Sequence, residues 1–420
     1  MSRVAIIGSG IAGLSAGWLL SRRHEVSLFE QDTRLGGHTH TIPVTEAGGR
    51  TVALDTGFLV HNEATYPNLV RLFGELGVAT QASDMSFSVH DPRTGFEYSS
   101  RGLAGFFAQP VNRLRPGHYR LFSEIVRFNR EARRLLLDGA GDRWTIGAYL
   151  DAHGFGGAFV ERYLYPMTSA IWSASFEGIR QFPALALVRF LANHGMLSVG
   201  RPPVWKTVQG GSWRYIDPIT APYRDRIITG APVVAVSRTP DAVVVDAQGL
   251  PPQQFDHVVF ATHGDEVLPI LRVPSPRERE VLGSFATTRN DTWLHTDPSW
   301  LPTRPLARAS WNYRLSGDPA AAPSVTYHLN RLQALESAVD YCVTLNPDRA
   351  IAPEHVVARM TYRHPQYSHA ALAAQARWAE VSGVDRVHYC GAYWYYGFHE
   401  DGLRSAIRVA RALGVSWGEA

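Results

Sequence analysis

The stretch RVAIIGSGIAG, residues 3–13, decides the fold of this chain. An apolar run breaks into a glycine turn, and apolar residues at helical spacing follow, which predicts a strand, a tight turn and a helix. Gly8 permits the turn, Gly10 lets the backbone approach a pyrophosphate, and Gly13 lets the helix pack on the strand. The N–H groups at the start of the helix then face the phosphates. We therefore expect a dinucleotide site here.

A second strand, EVSLFE over residues 25–30, follows the helix. Its last residue, Glu30, stands about 20 residues after the glycines, where an acidic side chain can accept both hydroxyls of an adenosine ribose. A second turn comes next and contains Arg34 and the pair Gly36 and Gly37. The first glycine turn alone does not choose between NAD and FAD.

The turn at 30–39 resembles the second phosphate-contacting turn of the FAD-binding amine oxidase and phytoene desaturase superfamily, where an acidic residue precedes an arginine and two glycines. The segments 255–264 and 387–410 resemble two later motifs of that superfamily, in the same order. The resemblance implies FAD, and we expect it to be bound without a covalent link. The residues predicted to bind it are Gly8, Gly10, Ile11, Ala12, Gly13, Glu30, Gln31, Arg34, Gly36, Gly37, His38, Thr39, Val233, Ala261, Thr262, Gly391, Asp401, Gly402 and Leu403.

Four further segments, 55–69, 165–173, 210–215 and 397–402, resemble a bacterial subfamily of predicted FAD oxidoreductases. Its members are often associated with cyclopropane or methyl fatty-acid synthases. By association this implies an unsaturated or methyl-branched fatty acyl substrate, and hydride exchange with flavin N5 that desaturates it or moves a double bond. Two alternatives stay open: an amine or porphyrinogen-type oxidase, and a non-catalytic flavoprotein that senses redox state or transfers electrons.

The length of 420 residues and the 45% hydrophobic content predict two domains. Strands are predicted at 3–8, 25–30, 226–229, 232–237, 242–246, 256–261 and 386–390, and helices at 12–22, 65–76, 118–137, 144–152, 264–271 and 402–413. The fold class expected is α/β, with a discontinuous Rossmann-type FAD-binding domain over 1–62, 203–268 and 380–420. A mixed α+β substrate domain, 63–202 and 269–379, is expected to cap the flavin.

Charge and cysteine content narrow the function classes. The net charge is +3, and the arginines are scattered, which argues against a nucleic-acid partner. Cys342 and Cys390 lie far apart and predict neither a disulfide framework nor a metal site. We expect no cleaved leader before the first strand, and no run reaches the roughly 18 apolar residues of a spanning helix. We expect a cytoplasmic protein, and peripheral membrane contact is compatible with this sequence.

His399 and Glu400 are the predicted catalytic residues. They stand just before the predicted last helix, and an imidazole held by a neighbouring carboxylate can move a proton near neutral pH. The alternative is a helix start that favours acidic residues because of the helix dipole. The residues predicted to bind substrate are Tyr66, Tyr163, Tyr165, Trp172, Tyr395 and Phe398, although aromatic side chains at such positions often serve only as core. Lys206 does not match the lysine of the amine oxidases.

Overall fold

The computed structural model describes residues 1–138, 144–197 and 203–417. Its strands are β1 (Arg3–Ile7), β2 (Glu25–Phe29), β3 (Thr41–Thr45), β4 (Thr51–Asp55), β5 (His61–Asn62), β6 (Thr80–Ala82), β7 (Phe87–Asp91), β8 (Phe96–Ser99), β9 (Trp205–Val208), β10 (Ile227–Ile228), β11 (Val233–Arg238), β12 (Val243–Ala247), β13 (Gln253–Phe255), β14 (His257–Phe260), β15 (Ala286–His295), β16 (Trp311–Arg314), β17 (Ser324–His328), β18 (Cys342–Leu345), β19 (Val356–Gln366) and β20 (Val387–Tyr389). Its helices are α1 (Ile11–Leu20), α2 (Pro67–Leu76), α3 (Gly102–Phe106), α4 (Pro116–Asp138), α5 (Ile146–Ala152), α6 (Gly157–Phe159), α7 (Tyr165–Trp172), α8 (Phe176–Arg180), α9 (Ala184–Asn193), α10 (Ile216–Thr220), α11 (Gly264–Ile270), α12 (Pro276–Leu282), α13 (Leu329–Leu332), α14 (His369–Ala376) and α15 (His399–Ala412).

A five-stranded parallel sheet forms the first layer, in the order β10-β2-β1-β14-β20. Its strands come from three separated parts of the chain, because helices and a second sheet are inserted between them. Every residue of α1 is buried, since the helix packs between this sheet and α15. Apolar runs without alternation are typical of parallel strands covered on both faces. The predicted α/β class with a Rossmann-type sheet is confirmed.

A seven-stranded sheet forms the second large layer, in the order β19-β15-β18-β17-β16-β7-β8. All of its pairings are antiparallel except the one between β16 and β7. None of these strands is among the elements expected from the sequence. Three small sheets complete the described strands: β11-β12-β13, the hairpin β3-β4, and β5-β9-β6.

The expected elements agree with the structure to within a few residues, with one difference that matters for the site. The last helix begins at His399 rather than at 402, so His399, Glu400 and Asp401 form its first turn. The part of the predicted helix 144–152 that the structure confirms is Ile146–Ala152. The predicted domain boundaries stay a prediction. Among the described helices, none is both long enough and apolar enough to cross a bilayer.

Candidate active site

A cavity of about 740 Å³ takes its wall from both large sheets. Ligand sites typically enclose about 300–1,000 Å³, so the space suits a large ligand or two molecules side by side. Thirteen of the predicted cofactor contacts line it: Gly8, Gly10, Ile11, Ala12, Glu30, Gln31, Arg34, Gly37, His38, Val233, Ala261, Thr262 and Gly391. One end of the cavity therefore lies on the glycine turns.

The first glycine turn leaves space for a ligand at one position only. Gly8 has φ +101°, a conformation that L side chains rarely adopt. A Cβ at Gly13 would lie 1.9 Å from the Gly8 carbonyl oxygen, whereas a Cβ at Gly10 would meet no atom within 4 Å. Gly10 is also the N-cap of α1, and no side chain caps that helix start. The first N–H groups of α1 are thus left to a ligand, as a pyrophosphate site requires.

Glu30 directly follows β2, beside this turn, and is held rigidly. Its carboxylate accepts hydrogen bonds from the Ser9 N–H at 2.8 Å, the Ser9 hydroxyl at 2.6 Å and the Asp32 N–H at 2.9 Å. A carboxylate offers about four acceptor positions, so at least one stays available to a ligand in the cavity. The geometry fits the predicted ribose contact.

The second glycine turn packs directly against the first. The Gly36 N–H donates to the Ser9 carbonyl oxygen at 3.1 Å, and a Cβ at Gly37 would lie 3.2 Å from Gly10 Cα. Gly36 and Thr39 do not line the cavity. The Thr39 hydroxyl instead pairs with the Tyr215 hydroxyl and lies 3.0 Å from His399 Nε2. Thr39 therefore supports His399 from behind the wall.

Asp401, Gly402 and Leu403 also lie behind the wall, contrary to the expectation that they contact the cofactor. The Asp401 carboxylate accepts the Phe398 N–H at 2.9 Å and caps α15. Burial raises its pKa to about 7. A Cβ at Gly402 would lie 2.6 Å from a methyl carbon of Ile11, so this glycine sets the close approach of α15 to α1. Leu403 is fully buried.

The predicted pairing of Glu400 with His399 is wrong. The Glu400 carboxylate accepts hydrogen bonds from the N–H groups of Asn68 at 3.2 Å and Leu69 at 2.9 Å, and from the Asn68 side chain at 2.7 Å. Successive residues in the first turn of a helix point in different directions, so neighbours in sequence need not meet. Glu400 fastens the start of α2 to the start of α15.

We expect Glu400→Gln to lower stability rather than activity. The substitution weakens acceptance by a buried group with three donors, and hydrogen bonds to charged groups are worth about 1.5–3 kcal/mol. The free energy of unfolding should fall by about that amount in urea titrations. The control Glu336→Gln, at an exposed residue, should stay within about 0.5 kcal/mol of wild type. Unchanged stability with impaired turnover would restore a catalytic role.

His399 lines the cavity as a neutral ring. It stacks on Phe58 with ring centroids 3.7 Å apart, and its Nε2 faces the Thr39 and Tyr215 hydroxyls at 3.0 and 3.4 Å. Burial, with a smaller contribution from His61, lowers its pKa to about 3. The proton exchange near neutral pH expected from the sequence is therefore wrong. Its role in the chemical step stays a prediction.

Three more histidines meet in the wall. The ring of His38 lies 5.4 Å from that of His364 and 6.1 Å from that of His263, and it stacks on Tyr362 at 4.8 Å. Burial lowers the pKa of each, to about 4 for His364. His38 Nε2 is buried without a hydrogen-bond partner, as expected of a polar atom that awaits a ligand.

The proton of His364 can be assigned from its neighbours. The Asn290 amide donates to the Thr288 carbonyl oxygen at 3.1 Å, which fixes the position of the amide nitrogen. The same amide nitrogen lies 3.2 Å from His364 Nδ1. The Ser173 hydroxyl lies 2.7 Å from that Nδ1 as well. Nδ1 therefore accepts, and the neutral ring holds its proton on Nε2.

The aromatic residues predicted to bind substrate divide into two groups. Tyr66, Trp172 and Phe398 line the cavity, while Tyr163, Tyr165 and Tyr395 do not. Tyr163 packs near Phe159, Tyr165 near Phe176, and Tyr395 beneath Arg404. Sequence reasoning missed further apolar residues of the wall, which together with Tyr66, Trp172 and Phe398 we call its aromatic end: Phe58, Met85, Ile171, Phe190, Met196, Trp205, Trp311, Tyr327 and Leu345. Several of them lie on the seven-stranded sheet, which the sequence did not reveal.

Each acidic side chain in the described wall lies at the glycine-turn end or takes part in an ion pair. The acidic residues are Glu30, Asp32, Asp265 and Glu266. Glu30 and Asp32 belong to the glycine-turn end. Asp265 and Glu266 share the single guanidinium of Arg363, at 2.6 and 2.9 Å. This group of three keeps a net charge of −1, and the described aromatic and aliphatic residues of the wall carry no carboxylate of their own. Lys206 pairs with Glu63 and is not part of the wall.

FAD should be released by acid, because no thiol reaches the cavity. Cys342 and Cys390 are both fully buried, and neither lines the described wall. We expect acid precipitation to leave the yellow colour in the supernatant, with Cys390→Ser indistinguishable from wild type. Colour that stays with the pellet, and is lost in that variant, would demonstrate a covalent link.

The sheet order, the two glycine turns and the rigid Glu30 define a dinucleotide-binding protein whose cavity extends to an apolar wall. The chain belongs to the family of flavin-containing amine oxidoreductases, whose profile matches residues 11–317. It is therefore an FAD-dependent oxidoreductase, and the FAD predicted from the sequence is confirmed.

Solved structures of the same fold cover nearly the whole chain. A wild-type putrescine oxidase bound to putrescine has a TM-score of 0.71 at 16% identity, and 98% of each chain is covered. Cyclohexylamine oxidase from Brevibacterium oxydans IH-35A has a TM-score of 0.68 at 16% identity, with 98% of each chain covered. A CLA-producing fatty acid isomerase from P. acnes has 0.66 at 15%, again over 98% of each. At these identities the likeness shows the fold alone, and the three proteins differ in their reactions.

Proposed function

We propose that this oxidoreductase acts on an apolar fatty acyl chain, as a desaturase or a double-bond isomerase. The observation that supports this best is the composition of the cavity wall at its aromatic end. Trp172, Phe190, Met196, Trp311 and Leu345 are apolar or aromatic, and the acidic residues of the described wall lie elsewhere or are paired. A cationic amine would find no carboxylate among these apolar residues, and desolvating a charge without a partner is costly.

The residues that would hold FAD are those of the glycine-turn end. Gly10 and the start of α1 would receive the pyrophosphate, and Glu30 the ribose. When bound, FAD supplies a hydride acceptor and donor. The protein then has to bind the chain, exclude water and leave the reacting carbon accessible. The aromatic wall serves the first two needs, because it covers an acyl chain with apolar surface.

The neutral histidines support the same reaction. A carbon that loses hydride develops positive charge, and a protonated imidazole nearby would oppose that change. Burial keeps the pKa of His399 at about 3 and those of His364 and His194 at about 4. At neutral pH these rings are uncharged and present lone pairs or N–H groups. We propose that, among these rings, His399 has the most direct part in the reaction at this carbon.

The test is flavin reduction without oxygen. Unsaturated fatty acids or their phospholipids should bleach the flavin, or be isomerised without net oxidation, which gas chromatography of the recovered lipid would detect. Putrescine and cyclohexylamine serve as matched amine probes, because structural neighbours carry the names of these compounds. Rapid bleaching by amines with no response to lipids would instead favour an amine oxidase. Extraction and identification of lipid that co-purifies with the yellow protein is an independent check.

A further inference from the structure

We infer that this protein binds the surface of an anionic phospholipid bilayer through one basic, apolar face. We define the α3–α4 face as α3, the short helix Pro110–Leu114 that follows it, and the outer side of α4. The inference depends on this surface alone. It does not require the proposed substrate, although a lipid substrate would give such a surface a purpose.

Large apolar side chains are concentrated on this face. Leu103 is 70% exposed, Leu114 84%, Tyr119 52%, Phe122 42% and Val126 43%. The last three follow one another at helical spacing, so they form one stripe along α4. Monomeric soluble proteins rarely expose such side chains as a group, and a group of this kind marks an interaction site.

Contacts between aromatic rings join α3 to α4 within this face. Phe106 of α3 lies 5.7 Å from Phe122 of α4, and Phe107 lies 5.5 Å from Tyr119, measured between ring centroids. The Tyr119 hydroxyl donates to the Arg113 carbonyl oxygen at 2.9 Å, which ties the short helix to α4. These contacts hold α3, the short helix and α4 together, so the face is a preformed patch.

The opposite side of α4 anchors the patch to the protein. Leu121, Phe128 and Ala132 are buried. This side packs against α9, and Phe190 of α9 lines the cavity. The outer side of α4 has no such cover among the described residues. The two sides give α4 the amphipathic character of a helix that lies in a membrane surface.

Charge decides which partner the face fits. Residues 101–138 contain eight arginines and three acidic residues, a net charge of +5, whereas the whole chain has +3. Glu124 lies between Arg120 and Arg127, at 3.9 Å from each. Arg113, Arg130 and Arg134 have no carboxylate partner among the described residues. Basic side chains around an apolar stripe match anionic headgroups over acyl chains.

The same charge argues against a second copy of this chain. A symmetric dimer places the same patch on both subunits, so the arginines of one would face those of the other. A nucleic acid would match the charge, but it would leave the exposed leucine and phenylalanine side chains without an apolar partner. Of these three occupants, the anionic bilayer alone satisfies both properties.

The experiment is flotation of the flavin-loaded protein with vesicles. Protein should float with phosphatidylcholine vesicles that contain phosphatidylglycerol, and much less with phosphatidylcholine alone. Leu114→Asp with Phe122→Asp should abolish flotation, while the matched pair Val273→Asp with Val384→Asp, at exposed valines elsewhere, should leave it unchanged. Flavin absorbance and circular dichroism identify variants that fail to fold; for these, Leu114→Ser with Phe122→Ser is the substitute.

A second pair of variants isolates the charge. Arg130→Gln with Arg134→Gln should lower the partition coefficient on the order of 20-fold, since one basic residue at an anionic surface is worth about fivefold. The control, Arg272→Gln with Arg289→Gln, has the same net charge as that double variant and should bind like wild type. No flotation at low salt, or equal flotation of all variants, would overturn the inference. So would a dimer that dissociates on Leu114→Asp, or tight binding to an RNA probe. If the protein does not bind vesicles, the test of lipid-dependent flavin bleaching still decides the proposed function independently.

Discussion

Gly10→Ala should yield a folded protein that binds FAD much more weakly than wild type. A Cβ at this position meets no atom of the protein within 4 Å, so the fold tolerates it. The added methyl group would occupy the space through which the pyrophosphate approaches the start of α1. Overpacking of a close contact costs roughly 1–3 kcal/mol, which corresponds to a loss of about 5- to 150-fold in affinity. Flavin fluorescence titration of the apoprotein measures this directly.

Two other glycines provide the contrast. Gly13→Ala should destroy the turn itself, because its Cβ would lie 1.9 Å from the Gly8 carbonyl oxygen. That variant should be unstable as well as colourless. Gly74→Ala, at an exposed helix position with no atom within 4 Å of the new Cβ, should bind FAD normally. Normal FAD affinity in Gly10→Ala would show that the cofactor does not approach the backbone there.

His399→Phe should slow the substrate-dependent reduction of flavin by about 10²–10³-fold, the loss seen when one preorganised polar group is removed from a charged transition state. The fold should survive, because a phenyl ring can keep the stacking on Phe58. Thr39 keeps its hydrogen bond to Tyr215, so no buried hydroxyl is left unpaired. Because the pKa of His399 is about 3, the ionisation of this histidine should not appear in the pH dependence of the wild-type rate near neutral pH. Stopped-flow absorbance at several pH values tests both.

His194→Phe is the matched control. His194 also lines the cavity and stacks on an aromatic ring, Phe190, with centroids 3.9 Å apart. Its Nδ1 contacts the Phe190 carbonyl oxygen at 2.9 Å. We expect less than about a tenfold change in rate there. Near wild-type turnover of flavin-loaded His399→Phe would make His399 a packing residue and direct attention to Tyr66 and Trp172.

The amino-acid sequence alone determined the cofactor half of this protein. The turn at 3–13, Glu30 and the second glycine turn are local signals, because a phosphate site is built from consecutive backbone groups with few allowed conformations. Most of the predicted contacts in these segments do line the cavity. The strands that accompany them are apolar runs covered on both faces, which are readily recognised.

Only the tertiary structure decided the substrate half. β17, buried throughout, is SVTYH, and one of its polar side chains, Thr326, is paired across the sheet with Thr344 at 2.8 Å. Such pairs form between residues distant in the chain, so no local pattern announces the strand. The first turn of α15 makes the same point. His399 and Glu400 are neighbours in sequence, yet one ring lines the cavity and the other side chain fastens α2, because their partners come from elements more than 300 residues away.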